Sequence, residues 1–413
     1  MYIIESRTAA PTRNTETMII SRLLFSAKLF APALITWVLW AYVLTINQAW
    51  AASFGSYWTM SIAMVFGSLL AGSTPCSAGV VIYPVTQLVP LDPAPDSRDI
   101  SAMLQAFGLA AATYTILLKK PALLHGTSYL LFFFCVFGAV GVVIGLNAAL
   151  ARGISNVVFT STVFGFAIAY SYASELLPQA TAVAAMSSST SSSAAAAKEG
   201  EWAAAHSDVV TALLACACGV GGGFLTATIG TGADIALYAF GVFGWNVRHP
   251  RLALGGEQLT AAAVVTMAII SNVFSLARAL TGGFSRPTLL CWAAMVPVVV
   301  VGAPVGSLVL SPAAATWLRR LFYVLAACQF ITYVIFAEDL TSTLWKLVLI
   351  GLIVESLAIL SHYFVYVRGR ERGQYISSDA GAELDGSSAK LVDSRGDGGG
   401  GCATSLPRRY PVP

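Results

Sequence analysis

Ser73, Thr74, Ser77 and Gly79 stand together in one short run, and Thr228, Gly230, Thr231 and Gly232 in another. Each run interrupts an apolar stretch: GSLLAGSTPCSAGVVIYPV over residues 67–85 and GGFLTATIGTGADIALYAF over residues 222–240. Where an apolar helix stops and restarts, the new N-terminus exposes free N–H groups and a positive dipole end. Glycine lets the backbone come close, and Ser and Thr add hydroxyl donors. Such a place can hold an anion without a buried Lys or Arg, which is expensive inside a membrane. The chemistry on offer is reversible anion binding. The structural alternative is a set of packing glycines and helix caps in a membrane bundle.

The two stretches overlay at a constant offset of 155 residues (222 less 67). Gly67 then meets Gly222, Leu70 meets Leu225, Ala78 meets Ala233 and Tyr83 meets Tyr238. Interrupted apolar segments at matching places in two halves point to the binding site of a membrane transporter. The same offset pairs Gln105 with Thr260, polar groups in the apolar helices that follow each break. Both are expected either to line the path or to bond between helices. Asp234 falls in the first turn of the second restart. It is read as an acidic first-turn residue favoured by the helix dipole, with proton coupling as the alternative, since its protonated form could donate to an anion. Glu257 opens the next span, as a gate or an interfacial charge. Cys76 is read as a packing residue beside the first break.

Other chemistries find no support. The four His residues, at 125, 206, 249 and 362, make no cluster at catalytic or metal-ligand spacing, and no phosphate-binding GxxxxGK[ST] loop occurs. The seven Cys do not form a disulfide or zinc framework. A net charge of +3 with no basic patch excludes a nucleic-acid partner on this reading. The expectation is a non-enzyme with no cofactor and no metal.

The elements that must position these residues follow from composition. The chain is 57% hydrophobic and only 10% charged, against about 25% charged in a soluble domain. Charges cluster between apolar runs of membrane length, so the chain reads as an all-α, multi-pass integral membrane protein. Residues 1–28 form a polar segment and 29–47 a first span. Ala49-Trp50-Ala51 has the form of a signal-peptidase site, but the run before it is long enough to favour a retained span. Residues 57–175 make a first repeat: a broken or re-entrant helix hairpin over 57–90, then spans at 101–118, 127–149 and 154–175. Residues 176–206 are a low-complexity Ser/Ala linker. Residues 209–336 make a second repeat, with its hairpin over 209–244 and spans at 256–280, 287–310 and 313–336. A last span at 342–366 and a disordered tail at 367–413 complete the chain.

Three spans between the hairpins make the two repeats inverted in topology, with one extra span at each end. The positive-inside rule then puts both termini in the cytoplasm. Lys119, Lys120, Arg248, Arg251, Arg319 and Arg320 fall inside, and Asp92, Asp96 and Asp99 outside. Arg98, Arg152, Arg278 and Arg286 depart from the bias.

At these residues the chain resembles the sulfite exporter TauE/SafE family. The likeness rests on GSTPCSAGVVIYPV, on RDISAMLQAFGLAAATYTI over 98–116, on ATIGTGADIALYAF, and on VPVVVVGAPVGS over 296–307. It runs from about residue 57 to about 335. Pro75-Cys76-Ser77-Ala78 stands where the family usually has a Gly-rich run, and residues 255–263 lack its Thr-Pro-Thr-Ser element. The resemblance implies a membrane transporter of sulfur-containing anions such as sulfite or organosulfonates. Its site would be the two breaks, facing each other near the bilayer midplane. A channel-like anion conductor on the same scaffold is the alternative.

Overall fold

In lipid every backbone polar group must be satisfied within the protein, and a helix does this within one segment. The apolar stretches of this chain fold accordingly. The computed structural model describes residues 13–76, 78–88, 96–148, 160–167, 208–249, 252–309, 317, 320–328 and 330–331. All of them belong to one unit, Met1–Leu357, and among them every regular element is helical.

The helices are α1 (Arg13–Ile46), α2 (Trp50–Ser73), α3 (Gly79–Leu88), α4 (Ser97–Lys119) and α5 (Ser128–Asn147). They continue with α6 (Val209–Ile229), α7 (Ala233–Trp245, π-helical from Phe240), α8 (Gly256–Thr281) and α9 (Arg286–Leu308). Residues 160–167 are also helical. Six helices, α2, α4, α5, α6, α8 and α9, are long and apolar enough to cross a membrane. The chain is a multi-pass membrane protein.

Local chemistry sets the helix ends. Asp96 caps α4 by accepting from the Arg98 and Asp99 N–H groups, at 3.1 and 3.4 Å. Ser285 caps α9 ahead of a proline in its first turn. Gly230 ends α6 in the left-handed conformation, φ +80°, which glycine adopts without a Cβ penalty. Asp208 caps α6. A hydrogen bond from Thr211, the Val210 N–H and nearby Arg248 hold its carboxyl below the usual carboxylate range. This contribution is in place above the ordinary pKa of about 3.9 and is lost as pH falls through the lowered folded value.

Cross-helix contacts fix the chain directions. α2 runs parallel to α9: Ser61 Oγ donates to the Ala294 carbonyl at 2.8 Å, while further along Gly72 lies on Ala303 and Gly306 on Leu69. α5 runs parallel to α6, with Gly138 on Gly223 and Gly145 on Phe224. α4 runs parallel to α9. The Asp96 N–H donates to Thr288 Oγ1 at 3.0 Å, and Lys120 Nζ to the Leu308 carbonyl at 3.2 Å. α8 is antiparallel to α4, since Asn272 Nδ2 donates to the Ala106 carbonyl at 3.1 Å while Arg278 reaches Asp99. α8 runs parallel to α5, with Gln258 Nε2 donating to the His125 carbonyl just before α5 and Ile270 lying on Gly138, so α2, α4 and α9 point one way and α5, α6 and α8 the other.

α4 and α8 form the buried centre. The pair α2/α9 packs on one side and α5/α6 on the other, and Phe66, Phe132, Val143 and Leu213 face outward for lipid. Both flanking pairs use glycine to bring backbones together, as membrane helices do without a hydrophobic drive between them. A Cβ on Gly223 would strike the Gly138 carbonyl, whereas one on Gly221 meets nothing within 4 Å. Gly223→Ala is therefore expected to destabilise the protein by about 1–3 kcal/mol through overpacking. Gly221→Ala, on the open face of the same helix, should leave stability unchanged or raise it by up to about 1 kcal/mol through helix propensity. Thermal unfolding of the two variants in detergent distinguishes these signs.

Several expected boundaries move. α1 begins at Arg13, ahead of its apolar part Phe30–Ile46, which lies within the expected first span at 29–47. It docks on α9, with Trp37 Nε1 donating to the Pro297 carbonyl at 3.1 Å and Trp40 Nε1 to the Ala293 carbonyl at 2.7 Å. The first break is preceded by a 24-residue helix, about 36 Å long. The hairpin thus joins one span-length helix to a short one of 10 residues. The expected span at 154–175 is described only over 160–167, and that at 313–336 only in part. The linker, the 342–366 span and the tail lie outside the described residues. Asn147 ends α5 at one end of the bundle, and Asp208 starts α6 at the other.

Candidate functional site

The two breaks meet inside the bundle. Tyr83, on α3, donates its hydroxyl to the Ile229 carbonyl at the end of α6, at 2.5 Å. Cys76, in the first break, lies within electrostatic range of Asp234, in the second. From α4, Ser101 Oγ and Gln105 Nε2 both donate to the Gly230 carbonyl at 3.0 Å. Gln105 Nε2 also donates to Ser101 Oγ at 2.8 Å, and its Oε1 accepts from Ser271 Oγ of α8 at 3.4 Å. One amide side chain thus joins α4, α8 and the second break. These contacts set the second break beside the first three turns of α4, toward one end of that helix.

The second break is internally capped. Asp234 Oδ1 accepts from the Gly232 N–H at 3.2 Å, the Ile235 N–H at 2.9 Å and the Thr231 hydroxyl at 3.3 Å. The Ala233 N–H donates to Thr226 Oγ1 at 3.1 Å. The N–H groups expected to be free at this restart are therefore taken, because a short acidic side chain two residues past the bend folds back onto them. Gly232 holds φ +144° in the bend, a backbone that side-chain-bearing residues avoid. Among the described residues no ion pair reaches Asp234. Its carboxylate, 3% exposed, fills the space in front of the restart's N–H groups.

The first break is quieter. Ser73 Oγ donates to the Leu69 carbonyl at 2.6 Å and Thr74 Oγ1 to the Leu70 carbonyl at 2.8 Å. Thr228 does the same in α6, to the Phe224 carbonyl at 3.0 Å. These hydroxyls stitch the last turns of their own helices and keep lone pairs, but not protons, for a neighbour. Gly79 starts α3 and is buried. Ser77 lies outside the described residues. Thr260 donates to the Gly256 carbonyl of its own helix at 2.8 Å, so it does not mirror Gln105.

The structure adds residues that the sequence reading missed. Tyr83 was noticed only as the partner of Tyr238 under the offset, and Ser101 stands one helical turn before Gln105, spacing that puts both on one face. Thr226 carried no signal. Arg98 and Arg278, exceptions to the charge bias, share the carboxylate of Asp99. Among the described residues no three His, Cys, Asp or Glu side chains gather as a metal ion would require. Scans against protein-family models, curated proteins and solved structures returned no match to this chain.

Proposed function

We propose that this membrane protein is a secondary transporter of small anions, working by alternating access, with the two facing breaks as its binding site. The observation that carries this reading is the meeting of two interrupted helices from different halves of the chain. Intramembrane backbone that is not helical is tolerated where it is buried in protein or lines a pathway. The helix directions support two inverted repeats. The first half offers a broken helix, α4 and α5 pointing one way, one way and back; the second offers a broken helix, α8 and α9 with each direction reversed. The glycine contacts are alike, since Gly306 lies on Leu69 in one pair and Gly145 lies in the other on Phe224, which Leu69 meets under the offset.

The substrate class rests on the TauE/SafE resemblance: sulfite or organosulfonates. In the described conformation an incoming anion competes with the Asp234 carboxylate for the restart's N–H groups. A proton on Asp234 weakens its hold on those donors, which gives a route to proton coupling without a buried cation. Backbone N–H groups at a helix N-terminus can hold an oxyanion without a buried cation. The positive-inside bias places the end that carries Lys119, Lys120, Arg248 and the start of α6 in the cytoplasm.

Uptake into proteoliposomes tests the proposal, with sulfite, sulfate, thiosulfate, taurine and sulfoacetate compared side by side. Saturable, gradient-coupled uptake of one or two of them is the expected result. Non-saturating conduction that cannot concentrate the ion would favour the channel alternative, and no flux of any would remove the substrate assignment.

A further inference from the structure

We propose that Arg98, Asp99 and Arg278 form a charged clasp between α4 and α8, and that admitting substrate at that end of the bundle requires the Asp99–Arg278 contact to part. The inference rests on the transporter reading above.

Asp99 sits in the first turn of α4, yet its side chain is only 2% exposed. Its Oδ1 accepts from Arg98 Nε at 3.1 Å and lies 3.0 Å from Arg98 Nη2. Its Oδ2 accepts from Arg278 Nε, on α8, at 3.2 Å. Arg98 also approaches Asp96 at 3.6 Å. The Arg98 and Arg278 side chains are 27% and 31% exposed. The clasp therefore has a buried carboxylate on the inside and hydrated cations on the outside.

Its position gives it a role. Gly230 of the second break packs against the Arg98 backbone and the Ser101 side chain, so the clasp lies within one helical turn of the break. The helices it joins are the two most buried in the bundle and come from different halves of the chain. Under the 155-residue offset Asp99 maps to Leu254 and Arg278 to Leu123, at the opposite end. Leu254 is buried and Leu123 packs against the core. The matching positions at the opposite end therefore carry apolar side chains where this end carries an ion pair. A buried carboxylate stripped of a partner is strongly disfavoured, so the clasp stays shut until water or another donor reaches Asp99 in place of Arg278.

The test uses the full chain with its seven cysteines replaced and one reporter, Ser101→Cys, reconstituted in liposomes. A membrane-impermeant maleimide is supplied on both sides and the labelling rate measured. Arg278→Gln and, independently, Asp99→Asn are each expected to speed labelling at least tenfold. The charge exchange Asp99→Arg with Arg278→Asp is expected to return the rate to within threefold of the parent. Rates within twofold of the parent in both single variants, each monodisperse on size exclusion, would overturn the clasp. So would an exchange variant that labels as fast as Arg278→Gln. The readout needs no substrate. Failure of every flux assay would sink the transporter reading and leave the labelling comparison intact.

Discussion

Asp234→Ala is expected to lower stability by about 2–5 kcal/mol, a large effect for one side chain. The carboxylate oxygen is the acceptor for two buried backbone N–H groups and one buried hydroxyl. A buried donor left without a partner costs about 1–3 kcal/mol, and the Thr231 hydroxyl alone can turn to another acceptor. Asp234→Asn keeps an oxygen in the same place and should stay within about 1 kcal/mol of the parent. Melting of both variants in detergent gives the comparison. Equal, small losses in both would mean that the cap contributes nothing and that the second break is held by packing alone. The Asn variant also separates structure from coupling. If protons act through Asp234, its flux loses the parent's pH dependence, because an amide does not titrate. An unchanged profile would end the coupling proposal and leave the cap in place.

Gln105→Leu is expected to reduce transport at least tenfold and stability by about 1–3 kcal/mol, whereas Thr260→Val should change either little. The two positions are equivalent by the offset but not by contact. Gln105 reaches out of its helix to the Gly230 carbonyl and to Ser271, and bonds Ser101 one turn back on α4. Thr260 returns its proton to the helix that bears it, and losing that bond leaves only a carbonyl already used by the helix. Flux and melting temperature measured on both variants would contradict the account if Thr260→Val proved the more damaging.

Much of the scaffold was legible because its signals are local. Apolar run length found α4, α5, α8 and α9 to within a few residues, and the Gly and Thr interruptions marked both bends. The 155-residue offset drew attention to Gln105, and the structure places it on the second break. What was hidden is what depends on reach and direction. Ser73, Thr74 and Thr228 looked like outward donors, but a hydroxyl in the last turn of a helix can bond the carbonyl four residues back. Asp99 looked like one of the acids outside the spans. It is the third residue of α4, where Arg278, far away in the chain, approaches it. Charge counting flagged Arg98 and Arg278 as exceptions without naming the carboxylate that accounts for them. Asp234 was placed correctly in the first turn of the restart, yet no spacing rule said that it would fold back over the N–H groups assigned to the substrate.

The central claim is that the facing breaks alternate between two sides, and counterflow measures it most directly. Proteoliposomes are loaded with millimolar unlabelled sulfite, or with whichever compound the uptake comparison selects, then diluted into trace labelled compound. A carrier that exposes one site to each side in turn predicts a transient accumulation of label well above equilibrium, lost in Gln105→Leu. Label that only rises to equilibrium, with the same time course in the parent and in Gln105→Leu, would contradict it.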